Sequence, residues 1–236
     1  MKYLIVILIF CAQIGKSQTF SYPTLNKQGK DIGALVPLRW KAIDTAFGDL
    51  NNDKLEDLAI IYEYNLPIIE NRAYGDNETD LIKEFQRPRV LAIYFKNAQS
   101  GKYALATQNN NFILRASEGG SLGDPLKNLS IVANKLLLQF EGGANWRWKL
   151  NYEFKYQNKD WNLVNANNIY YNAISGEMTN RQYNFLARRM RLITGNLADQ
   201  EGNNLIDEET LIFTSFKTFA TFKKPWTWEI SKDNFL

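Results

Sequence analysis

The alternation from Trp146 to Tyr156 constrains this chain more than any other feature. Trp146, Trp148, Leu150, Tyr152, Phe154 and Tyr156 take every second position, with Arg147, Lys149, Asn151, Glu153 and Lys155 between them. Successive side chains of a strand point to opposite faces, so this period predicts one long strand with an apolar face and a charged face. Residues 136–141 form another apolar run, and Gly142-Gly143-Ala144-Asn145 supplies the turn that makes the two a hairpin. A further strand at 161–164 follows across Asn158-Lys159-Asp160.

The same pattern recurs. Residues 90–95 and 103–107 flank a turn at 97–102 containing Gly101, and Val132 and Leu136 flank Ala133-Asn134-Lys135. Residues 211–222, rich in Phe and Thr, read as extended. Residues 65–87 read as a polar insertion with a short helix at 79–85, and 170–202 carry no assignable pattern. There is no repeat at a fixed period. The expected fold is mainly β, with antiparallel sheets packed as a sandwich or partial-propeller-like domain and few short helices.

Residues 1–17 read as a cleavable signal peptide: Lys2, an apolar stretch at 3–10, and small residues at Gly15 and Ser17. The apolar stretch is shorter than the about 20 residues that span a bilayer, so no stable membrane span is expected after cleavage. Phe10 before Cys11 argues against lipid attachment. Residues 18–236 then form a single β-rich domain without cysteine, periplasmic or secreted, which suits a bacterial envelope protein. Removing Lys2 and Lys16 takes the formal charge from +3 to +1, so nothing electrostatic points to nucleic acid. The chain has no histidine, which excludes His-based triads and the usual zinc ligand sets.

One stretch points to a ligand. Asp49, Asn51, Asp53 and Asp57 stand at positions 1, 3, 5 and 9 of a loop, with the Leu55 carbonyl at position 7, directly ahead of Leu58-Ala59-Ile60-Ile61-Tyr62. Such a bend turns every second side chain inward, and Ca²⁺ takes about six to eight oxygen ligands. The alternative is a polar turn whose Asp side chains bond their own backbone.

Phe47 to Ala59 resembles the FG-GAP/VCBS repeat, a D-x-[DN]-x-D-G-x-x-D loop leading into an apolar strand. The resemblance implies a Ca²⁺-binding loop between two strands, with Asp49, Asn51, Asp53, Leu55 and Asp57 as metal ligands. Only one copy is present and propellers need several blades, so it implies the hairpin and not the propeller. Lys54 stands where the family places glycine, at a turn favouring positive φ. More broadly, residues 44–164, with Gly142-Gly143-Ala144-Asn145-Trp146-Arg147-Trp148, resemble a group of secreted bacterial proteins that pair such a segment with a strand-rich region. That likeness bears on fold and compartment only.

Other constellations read as structure. Trp146 and Trp148, like Trp226 and Trp228, have the spacing of a carbohydrate platform, but an apolar face this long reads as core. Gly119-Gly120-Ser121-Leu122-Gly123 precedes Asp124-Pro125 and reads as a turn, not a phosphate cradle. Arg181, Arg188, Arg189 and Arg191 read as a solvated face paired with Asp207-Glu208-Glu209. The functional expectation is a non-enzymatic envelope binding or structural protein with a protein or polysaccharide ligand. The alternatives are a hydrolase using Glu201 or Asp207, and an inhibitor or immunity-like partner of another secreted protein.

Overall fold

The computed structural model describes residues 20–73, 81–199, 203–231 and 234–236; the expected signal peptide lies outside them. Strand β1 (Gln28–Gly29) and a single helical turn, α1 (Ile32–Leu35), lead into β2 (Trp40–Gly48) and β3 (Asp57–Tyr64). A side hairpin of β4 (Ile68–Ala73) and β5 (Leu81–Gln86) precedes β6 (Arg89–Lys96) and β7 (Tyr103–Asn109). Next come β8 (Leu126–Val132), β9 (Lys135–Gly143), β10 (Trp146–Gln157) and β11 (Asp160–Asn172). The chain continues through β12 (Glu177–Asn184), β13 (Arg189–Asn196) and β14 (Leu205–Thr210), then closes with β15 (Glu229–Ser231) and β16 (Asn234–Phe235).

The fold is mainly β and antiparallel, as expected, with almost no helix among the described residues. One sheet has five strands in the order β1-β7-β6-β3-β2, and the other is a seven-stranded meander from β8 to β14. One buried cluster draws on both, joining Ala59, Ile61, Leu91 and Ile93 of the smaller sheet to Leu138, Phe140, Leu150 and Phe154 of the larger. The opposite face of the smaller sheet carries Trp40, Leu58, Ile60, Tyr62, Val90 and Tyr94, covered by Leu25 and Leu35. Burial on both faces explains why β3 and β6 are continuous apolar runs, whereas β10, apolar on one face, alternates.

The hairpin turns follow local chemistry. Ala133 and Asn134 (φ 49° and 59°) join β8 to β9, and Asn158 and Lys159 (φ 54° and 66°) join β10 to β11. Two consecutive left-handed residues match the right-handed twist of the flanking strands. At the β9–β10 turn, Gly143 has φ +106°, and a Cβ on Gly142 would fall 2.2 Å from the Trp148 indole. Only glycine fits beneath that ring.

Four expectations are corrected. Strand β5 occupies the region read as a helix at 79–85, its residues from 81 onward pairing with β4. Residues 211–222 bend and turn, with one bridge from Asn162 to Thr218, because Phe219 and Phe222 leave the extended path to enter the core. The unassigned stretch at 170–199 is the end of β11 followed by β12 and β13, and 200–202 lie outside the described residues. Trp146 is not core: it is 41% exposed and stacks on Tyr170 at 5.6 Å and 11°. The apolar face ends at Trp148, which Trp226 meets edge-on at 4.8 Å.

Tyr152 is fully buried, and its hydroxyl has no hydrogen-bond partner. A buried donor left unmatched costs stability, so Tyr152→Phe is expected to raise stability by about 1 kcal/mol. A lower melting temperature for the variant would show that the hydroxyl is bonded in solution.

Candidate functional site

The acidic loop connects β2 to β3, and its hydrogen bonds explain its shape. Asp49 Oδ1 accepts from the Asn52 N–H at 2.7 Å, and its Oδ2 accepts from the Lys54 N–H at 2.9 Å. Asn51 Oδ1 accepts from the Asp53 N–H at 3.0 Å, and Asp53 Oδ1 from the Leu55 N–H at 2.8 Å. The Asn51 amide also donates to Asp53 Oδ2 at 3.0 Å. Each of these short polar side chains thus caps backbone a few residues on. Lys54 adopts φ +68°, the backbone conformation the resemblance asks of glycine at this position.

The loop lies at the junction of the two sheets. Leu50 is buried in the shared core, and the Asn134 amide, in the β8–β9 turn, donates to the Asp49 carbonyl at 2.7 Å. Asp57 is fully buried; its Oδ2 accepts from the Leu50 N–H at 2.8 Å and its Oδ1 from the Lys96 N–H at 2.9 Å. Burial pushes the Asp57 carboxyl above its ordinary value; the two N–H groups oppose this, and the charges of Asp53 and Asp49 add to it. Asp57 therefore clamps the loop to β6, while Asp49, Asn51 and Asp53 lie nearer solvent.

The residues read as ligands offer only oxygens, the donor set a hard cation such as Ca²⁺ takes. They supply the chemistry of such a site and the sharp bend it needs. Among the described residues, no three His, Cys, Asp or Glu side chains are gathered as around a metal ion, so the Asn51 amide and the Leu55 carbonyl would have to complete the set.

A second feature lies on the seven-stranded sheet. Asn165 and Asn167 of β11, Gln182 and Asn184 of β12, and Arg191 with Glu208 line an open groove of about 400 Å³. Glu208 lies 3.5 Å from both Arg189 and Arg191, so two of the four arginines pair with the acidic run as expected. Arg188 instead donates to the Phe213 carbonyl and sits over its ring. A smaller groove is lined by Asp31, Phe47 and Tyr103 among others. Neither groove brings two carboxylates together; Glu201 lies outside the described residues, and Asp207 is exposed on β14. The turn expected at 119–125 is present, and β8 rather than a helix follows it.

Two buried arginines escaped sequence reasoning. Arg89 donates to Glu63 Oε2 at 2.8 and 3.0 Å, to the Leu114 carbonyl, and to Asp124. Burial alone would push Glu63 and Asp124 up, but the Arg89 fork, joined at Glu63 by Lys41, outweighs it and holds both below the usual carboxylate range. Arg115 pairs with Glu70 in the same manner. No local pattern marks these residues. The groove did leave a trace: Asn165 and Asn167 stand at strand spacing on one face.

Fold and site together define a mainly β, antiparallel protein with an oxygen-rich loop where its sheets meet and a polar groove on the larger one. No known protein family, curated protein or solved structure matches the chain.

Proposed function

We propose that this chain is a non-catalytic binding or structural protein of the bacterial envelope, exported by its N-terminal signal and braced by Ca²⁺ at the β2–β3 loop. The observation that carries the reading is the position of that loop. It roots Leu50 in the shared core, bonds to the β8–β9 turn, and keeps its remaining oxygen side chains toward solvent. An ion held by Asp49, Asn51, Asp53 and the Leu55 carbonyl would neutralise crowded carboxylates and stiffen the junction between the sheets. Asp57, the fifth residue of the set, supports it from the buried side. The likeness of residues 47–59 to FG-GAP/VCBS loops supports the same reading.

Lys54 brings a positive charge near the ion, which fits the weak range of extracellular calcium modules, about 10⁻⁴ to 10⁻³ M. At about 10 mM Ca²⁺ and a Kd of about 1 mM, mass action gives about 1.4 kcal/mol. For a chain of this size that raises the melting temperature by about 3–5 °C. Thermal melts with Ca²⁺ and with EDTA are expected to show this difference, and Asp53→Ala is expected to remove it. Identical melts of the parent protein in the two conditions would refute the calcium brace.

A further inference from the structure

We propose that the groove across β11 to β14 binds a neutral, hydroxyl-rich ligand, an oligosaccharide. The inference builds on the binding-protein reading above but not on its calcium loop. The register of the sheet sets Asn151, Asn167, Gln182, Arg191 and Glu208 opposite one another in a single row, one per strand. Adjacent strands are about 4.8 Å apart, so neighbouring amides stand close enough to engage neighbouring hydroxyls of one ring. Asn165 and Asn184 repeat the arrangement in the next row along the same face.

Three observations select this ligand class. First, each amide carries a donor and an acceptor side by side, as each sugar hydroxyl does. Second, the arginines of the groove are already engaged by an internal acid: Glu208 holds Arg189 and Arg191, and Arg191 also reaches Gln182 at 3.5 Å. Glu208 offsets one of these two arginine charges, so the groove carries a net charge of +1 and not the cluster of free cations that a polyanion site gathers. Third, the face carries acceptors in want of donors. Asn167 Oδ1 and, further along β12, Asn180 Oδ1 are shielded from solvent and accept no hydrogen bond. Asn167 lines the groove, so turning its amide brings that acceptor to an incoming hydroxyl. The backbone of β11, β12 and β13 is committed to the ladder on both sides, so recognition falls to side chains and not to strand addition.

The test is calorimetric titration of the purified protein with cellotetraose, maltotetraose and chitotetraose, and with tetragalacturonate as an acidic comparison, each in Ca²⁺ and in EDTA. At least one neutral oligosaccharide is expected to bind at millimolar concentration or below. Gln182→Ala and Asn167→Ala are each expected to weaken it about tenfold without lowering the melting temperature. Silence toward all three neutral sugars, equal binding by parent and variants, or binding of the acidic sugar alone would overturn the proposal. Silence combined with a calcium-dependent melting shift would remove the groove and leave the loop reading standing. Sugar binding without that shift would do the reverse.

Discussion

Arg115→Met is expected to destabilise the fold by about 3–5 kcal/mol, the cost of removing one partner of a buried ion pair. Arg115 has no exposed surface; its Nε donates to Glu70 Oε2 at 2.9 Å and its Nη2 to Glu70 Oε1 at 3.2 Å. The remaining N–H groups reach the Ile113 carbonyl and the Tyr22 hydroxyl, so the whole fork is engaged. Burial works against the guanidinium charge, but the Glu70 carboxylate more than offsets it. Methionine fills similar space but removes the guanidinium that bonds both oxygens of the buried Glu70 carboxylate, which is what makes breaking such a pair costly. Urea denaturation measures the loss directly. Adding Glu70→Gln to the same protein is expected to restore part of the stability, since an amide tolerates burial better than a charge. A change below about 1 kcal/mol in the single variant would mean that the pair is hydrated in solution.

Phe112→Ala is expected to cost a comparable about 3–5 kcal/mol, by a different route. Phe112 is fully buried, and its ring lies 4.1 Å from that of Phe222, 5.3 Å from Tyr152, 5.7 Å from Phe154 and 5.9 Å from Phe140. It therefore joins the segment after β7 to the larger sheet and to the C-terminal stretch. Alanine would remove edge-to-face contacts with four rings that cannot all collapse inward, because three of them are fixed on β9 and β10. The measurement is again the denaturation midpoint, with an unchanged slope showing that the native sheet persists. Phe112→Leu is expected to recover part of the loss by refilling the space.

Much of the architecture was legible because it follows from local rules. The β9–β10 hairpin is marked by period two, the turns at 133–134 and 158–159 by Asn134 and Asn158, which accept positive φ, and the β2–β3 bend by its spaced Asp and Asn. The errors have physical causes. Residues 79–85 hold apolar residues at a spacing that also suits a helix, yet pairing with β4 makes β5 a strand from 81 onward. Phe and Thr in 211–222 carry high strand propensity, but strand propensity is overridden where side chains find burial elsewhere, and here Phe219 and Phe222 turn into the core. Trp146 obeys the alternation and still faces solvent, because alternation assigns a face and not how far the opposing layer extends.

The same division holds for the candidate site. The order of oxygen donors and the bend that presents them are properties of a few consecutive residues, so the chain alone determined the loop from Asp49 to Asp57 and the strands on either side. Only tertiary packing decided that Asp57 turns inward to bind the backbone of β6, that Arg89 and Arg115 find buried carboxylates, and that amides from separate strands share one groove. Those outcomes depend on register and burial between residues far apart in the chain. Local conformational preferences carry no information about such meetings, since the free energy that selects them appears only when the sheets come together.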